Sequence, residues 1–231
     1  MKLCIIGNSH VGSLKTAWDN HFPAKNGVKI TFFAAPGYKL DGLKLDGHKL
    51  VPSKLSLRNS LRLTSGGQGE INLKEYDCFL IYGVKALSYF EDKNFHSSAA
   101  TQQALDDHYG PTLSYQIANM IRKSVASNIY IGHVPMPSAP EKDNAEVEYS
   151  SNQYNNGVEL ANTRFFSLIN AELIKQPGST IAKSGCHTQF IYSTGSRALN
   201  NRVTPMEDTR HMNDKFGQVW LQSFLNEIQN Q

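Results

Sequence analysis

No apolar run in this 231-residue chain approaches the roughly 20 residues that a membrane-spanning helix needs, so no membrane partner is expected. The opening MKLCIIG turns at once and shows no apolar segment of signal-peptide length, which leads to the expectation of a cytoplasmic protein. Cysteine is scarce. Cys4, Cys78 and Cys186 are an odd, scattered set that gives neither a disulfide framework nor metal spacing. His187 beside Cys186 has no further ligands at suitable intervals, so neither a metal nor an organic cofactor is expected. Charge of one sign is also missing in bulk: 23 Lys and Arg face 20 Asp and Glu, with no dense basic run, which argues against a nucleic-acid partner.

What is present is a train of short apolar runs alternating with helical spacing. Residues 2–6, 28–35, 76–83 and 128–134 read as buried strands, each stopped by Gly or Pro. Cys4 and Cys78 fall inside two of them and read as small core residues. Residues 11–20, a helix-rich stretch over 98–127, 156–175 and 215–228 carry apolar residues at helical intervals. Strands alternating with helices predict one α/β domain over 1–231, three-layered as α/β/α in the flavodoxin manner, with a central parallel sheet. Residues 38–73 are too long for a simple connection. Their short alternating runs (Lys44-Leu45, Leu55-Ser56-Leu57, Leu61-Arg62-Leu63) predict an inserted β-hairpin or flap. Its lysines, Lys39, Lys44, Lys49 and Lys54, read first as a solvated face and second as an attraction for an acidic glycan. Residues 137–155 read as a polar surface loop and 178–210 as irregular.

In a parallel sheet, ligands bind beyond the carboxyl ends of the strands. Gly7-Asn8-Ser9-His10 ends the first strand, Pro36-Gly37 the second and Gly83 the third. A serine at a strand-to-helix turn has an exposed hydroxyl, and its N–H lies at a helix N-terminus, where a developing oxyanion is stabilised. It needs a base. Asp208-Thr209-Arg210-His211 can supply one, with Asp208 orienting His211. Pro205 before this turn, and Asn213 or Asp214 as a cap after it, suit an ordered entry to the last helix.

These pieces, GNSH at the first strand end, Pro-Gly after the second, a glycine after the third and DTRHMN near the C-terminus, resemble the SGNH (GDSL-like) hydrolase superfamily, in order along nearly the whole chain. The resemblance implies Ser9 as nucleophile, Asp208 and His211 as the rest of the triad, and Gly37 N–H with Ser9 N–H as oxyanion donors. It also implies a small-molecule or glycan ester as substrate, O-acetyl groups on carbohydrate in particular. His10, Tyr38, Gly83, Lys85 and Arg210 are the candidate substrate contacts. Several of them have a plainer reading: His10 as a helix-start residue, Tyr38 as packing, Arg210 as a solvated cation. His133 and Tyr82 likewise divide between cleft and core.

Two departures stand out. The family commonly has Asp before the nucleophile, and here it is Asn8. The third block usually reads Gly-x-Asn, its asparagine completing the oxyanion hole; here it is Gly83-Val84-Lys85-Ala86. Lys85 and Asn94 are candidate replacements, and two backbone donors alone are the other arrangement. Three functions stay open at this point: a serine esterase, a glycan O-acyltransferase using the same triad, and a glycan-binding pseudoenzyme.

Overall fold

The computed structural model describes residues 1–22, 27–91, 94, 96–141, 148–196, 205 and 208–229. Five strands form a parallel sheet in the order β2-β1-β6-β7-β8: β1 (Lys2–Gly7), β2 (Lys29–Ala34), β6 (Cys78–Tyr82), β7 (Asn128–Gly132) and β8 (Ala171–Ile174). Alternation along β1 divides the core. Cys4 and Ile6 face one side with Phe33, Phe79 and Ile81, and Leu3 and Ile5 face the other with Phe32, Leu80 and Tyr82. The first side is covered by α3 (Ser98–Tyr109), α4 (Leu113–Arg122) and α5 (Ser151–Arg164). The second is covered by α1 (Val11–His21) and α6 (Asp214–Gln229). Helices on both faces of a parallel sheet are the α/β architecture that the alternation predicts.

Two readings are corrected. Residues 38–73 do hold a hairpin, β3 (Leu43–Asp46) with β4 (Lys49–Pro52), which β5 (Ile71–Asn72) extends to three antiparallel strands. Between them, however, Leu55-Ser56-Leu57 and Leu61-Arg62-Leu63 form not strands but a helix, α2 (Leu55–Ser65). Leu57, Leu61 and Thr64, at i, i+4 and i+7, are its buried face, while Leu55 and Leu63 are 70% and 72% exposed. Gly66 ends it with φ 77°, a left-handed cap.

The second correction concerns 156–175, which is not one helix. A capping box on Ser150 and Gln153 starts α5 earlier, inside the expected loop, and α5 stops at Arg164. After one short turn, Asn170 adopts φ 49° and the chain leaves as β8, paired with β7 through Leu173 opposite Ile131. Arg122 fixes this break by donating to the carbonyls of Ile169 and Asn170, at 2.9 and 2.7 Å. Part of the predicted loop (142–147) and of the irregular stretch (197–204, 206, 207) lies outside the described residues.

Helices α1 and α6 pack closely because Gly217 has no side chain. A Cβ there would sit 2.2 Å from the Ser13 carbonyl oxygen. Since the obstacle is backbone, no rotamer change relieves it. Gly217→Ala is expected to lower stability by about 2 kcal/mol, beyond any gain in helix propensity. In a domain of this size that is a fall in Tm of roughly 4–8 °C, read by thermal denaturation.

Candidate active site

Gly7 ends β1 where a Cβ would lie 2.3 Å from the Tyr82 carbonyl oxygen. Only glycine lets the chain pass so close to β6 before turning. The turn that follows is built by its own side chain: Asn8 Oδ1 accepts the His10 N–H at 3.1 Å. Asn8 and Ser9 carbonyls accept from Val11 and Gly12 at 3.1 and 3.0 Å, starting α1. Ser9 thus stands at the helix N-terminus.

At the other end of the chain, Asn213 caps α6 by accepting the Phe216 N–H at 3.1 Å. Its amide donates to the carbonyls of Ile191 and Thr194, and its N–H to that of Tyr192 at 2.7 Å. Asp214, the other cap candidate, instead pairs with His21 at 3.2 Å. The turn before the cap is tied at Asp208, whose N–H reaches the Pro205 carbonyl at 3.0 Å, and at Thr209, whose carbonyl accepts the Ser138 N–H at 2.7 Å. Sequence reasoning passed over Ser138. Its only signal was its place just after Pro135 and Pro137, beyond a strand end.

Packing α6 on α1 brings the two turns together. His211 Nε2 lies 2.9 Å from Ser9 Oγ, and His211 Nδ1 lies 2.7 Å from Asp208 Oδ2. Asp208 Oδ1 also accepts the N–H groups of Arg210 and His211, at 2.9 and 3.1 Å. Burial on its own would raise the Asp208 carboxyl. These two N–H bonds and the imidazole outweigh it and hold the carboxyl below its ordinary value. A carboxylate can only accept, so the proton of neutral His211 sits on Nδ1, and Nε2 faces Ser9 as an acceptor.

The remaining candidates divide clearly. His10, Tyr38, Gly83, Lys85 and Arg210 all line one open cleft of about 720 Å³, walled in part by Pro111, Pro135 and Pro137. Gly37, φ 62°, is exposed beside it. Among the described residues neither the Gly37 nor the Ser9 N–H has a protein acceptor. Gly83, by contrast, donates its N–H to the Gly132 carbonyl at 2.9 Å, so its part in the cleft is spatial. Lys85 takes the left-handed region at φ 60°, a strained conformation for a long side chain, and its ammonium lies 4.5 Å from the Tyr38 ring centre. Asn94 lines a different cleft with Glu91, His96 and Arg164. Asn94, in that other cleft, therefore does not take the place of the third-block asparagine, while the Lys85 ammonium sits over Tyr38.

Tyr82 is a core residue, its ring 4.8 Å from Trp220. His133 is buried too: Nδ1 lies 2.7 Å from the Val134 carbonyl, and Nε2 lies 2.7 Å from the Tyr154 hydroxyl. Cys186 Sγ lies 3.1 Å from Glu148 Oε2. Burial, then that carboxylate, pushes its thiol up to about 11, the opposite of a nucleophilic cysteine. No cluster of three or more metal-ligating side chains occurs among the described residues.

No family model and no curated protein matches the chain. Solved structures do. The periplasmic domain of a lipopolysaccharide acetyltransferase from Salmonella ser. Paratyphi A aligns with 98% of this chain and 83% of its own, at 16% identity and a TM-score of 0.46. A GDSL-like lipase from Bacteroides thetaiotaomicron aligns with 98% of this chain and 88% of its own, at 10% identity and a TM-score of 0.37. A DUF4886 family protein from Bacteroides uniformis aligns with 94% and 78%, at 13% identity and a TM-score of 0.40.

Proposed function

We propose that the chain is a serine esterase acting on small acyl esters. The observation that carries the reading is the unbroken chain of contacts from Ser9 Oγ through His211 to Asp208, at 2.9 and 2.7 Å. In this mechanism His211 Nε2 takes the Ser9 hydroxyl proton as Oγ attacks the ester carbonyl carbon. The Ser9 and Gly37 N–H groups stabilise the oxyanion. His211 returns the proton to the departing alkoxide, leaving an acyl-serine, and water repeats the sequence to release the acid. Asp208 keeps the proton of the resting imidazole on Nδ1 and stabilises the imidazolium.

The cleft narrows the substrate class. Lys85 and Arg210 line it, and no carboxylate does among the described residues, which favours an ester carried on a neutral or anionic molecule. Tyr38, 67% exposed at the rim, offers an aromatic surface to a sugar ring. That exposure also supports a second reading, transfer of the acyl group to a sugar hydroxyl instead of water. A glycan-binding pseudoenzyme would not need Ser9 and His211 in contact, and their 2.9 Å separation favours the esterase reading over it.

A fluorophosphonate probe tests the proposal. Wild type is expected to be labelled at Ser9 and Ser9→Ala to remain unlabelled. An unlabelled wild type sinks it. Product analysis with an acyl donor and a sugar acceptor separates the two readings: free acid alone excludes transfer.

A further inference from the structure

An oxyanion hole of this kind ordinarily takes a donor from each side of the nucleophile. On the β2 side stands Gly37. On the β6 side the expected asparagine is missing, Lys85 is held over Tyr38, and the Gly83 N–H is spent on Gly132. What fills the β6 side is His10. A Cβ on Gly83 would meet His10 Cβ at 2.8 Å, Asn8 Oδ1 at 3.0 Å and His10 Cδ2 at 3.1 Å, so the bare glycine, at φ 70°, makes room for this ring and for the Asn8 amide oxygen that holds the His10 N–H. The ring is fixed. Its own residue's N–H is tied to Asn8 Oδ1, its carbonyl accepts from Ser13 Oγ at 3.0 Å, and its face stacks on His211 with centres 5.1 Å apart.

The tautomer follows from its two nitrogens. Nδ1 is buried with no partner among the described residues. A buried N–H without an acceptor is rarer and costlier than an unused lone pair, so the proton belongs on Nε2. That nitrogen shares the ring edge of Cδ2, on the Gly83 side, in a residue that lines the cleft. We infer that His10, as a neutral imidazole protonated at Nε2, donates a hydrogen bond to the developing oxyanion on the β6 side of Ser9, replacing the absent asparagine. The inference rests on the serine-esterase reading and extends it.

The surroundings keep this donor neutral. Burial first, then the neighbouring His211, pushes the His10 imidazole down to about 4; Asp208 opposes the shift and Arg210 adds to it. A neutral ring is also what the stacked partner needs. When His211 takes the Ser9 proton, an imidazolium on its face would repel it, whereas a neutral one does not.

The test is steady-state hydrolysis of p-nitrophenyl acetate by the full chain and two variants, with thermal melts alongside. His10→Phe keeps an aromatic face on His211 and removes the donor. It is expected to lose about 10²-fold in kcat, with KM changed by less than ~3-fold. His10→Gln restores a donor without the ring and is expected to recover roughly tenfold of that loss. A Phe variant within ~3-fold of wild type overturns the inference, since stacking alone would then suffice. So does a Gln variant as slow as Phe when both melt like wild type. If both melt well below wild type, a kcat loss without recovery in Gln marks the ring as structural and likewise overturns it. Failure of the parent reading looks different: wild type itself then hydrolyses no ester and resists the fluorophosphonate.

Discussion

Asp208→Asn is expected to slow ester hydrolysis by about 10⁴-fold while leaving the fold intact. The carboxylate does two jobs that one amide cannot share. Oδ1 accepts two backbone N–H groups and Oδ2 accepts His211 Nδ1–H. If the amide oxygen stays with the backbone, the NH₂ faces Nδ1 and forces the imidazole proton onto Nε2. The base then offers Ser9 a proton instead of a lone pair. If the amide flips, its NH₂ opposes the two N–H groups and the turn is strained. Either way the productive tautomer is lost. Asp208 lies outside both hydrophobic core clusters, so the melting temperature should move little. A variant retaining more than a tenth of wild-type kcat shows that His211 does not depend on Asp208.

Stability is expected to fall steeply between pH 6.5 and 4, through two imidazoles. His10 and His133 are both lowered from 6.5 to about 4, in each case by burial first. His211 reinforces the shift at His10; at His133 the Val134 carbonyl opposes it. The sign follows from proton counting. The unfolded chain takes up protons as pH drops below 6.5, and the folded one does not until about 4. The stabilisation is complete above 6.5 and is lost as pH approaches 4. Each imidazole accounts for about 3 kcal/mol, so the pair removes a large part of a typical stability of about 5–15 kcal/mol. Asp208, held below its ordinary value, adds to the loss only at still lower pH. Chemical denaturation at pH 7 and pH 4.5 checks this, and equal unfolding free energies at the two values would refute it.

The parts of the molecule that could be read from sequence are those whose signal is local. Strands β1, β2, β6 and β7 announce themselves as apolar runs with hard stops. Ser9 and the Asp208 turn lie at positions where a parallel sheet collects its chemistry. What escaped reading depends on contacts across the fold. The Leu55–Leu63 pattern admits either period, and only packing of Leu57 and Leu61 into the core on the β2 side of the sheet decides for α2. β8 hides in a helical pattern because its break is made by Arg122, about 50 residues upstream. His10 looked like a helix-start residue because its place in the cleft is set by the missing side chain of Gly83, on another strand. Ser138 shows its link to the Asp208 turn only through a main-chain bond to Thr209.

The two turns that meet at the site are 202 residues apart in sequence, each opening a helix of the same packed pair. On the ribosome this separation sets an order of events. Ser9 leaves the exit tunnel well before His211, and β1 can begin to pair while the base is still unmade. Until α6 has emerged and docked along α1, the nascent chain carries an ordinary, unreactive hydroxyl. On the proposed esterase reading, acyl chemistry is thereby switched on only when α6 docks, and a translation product that stops short of α6 is chemically silent.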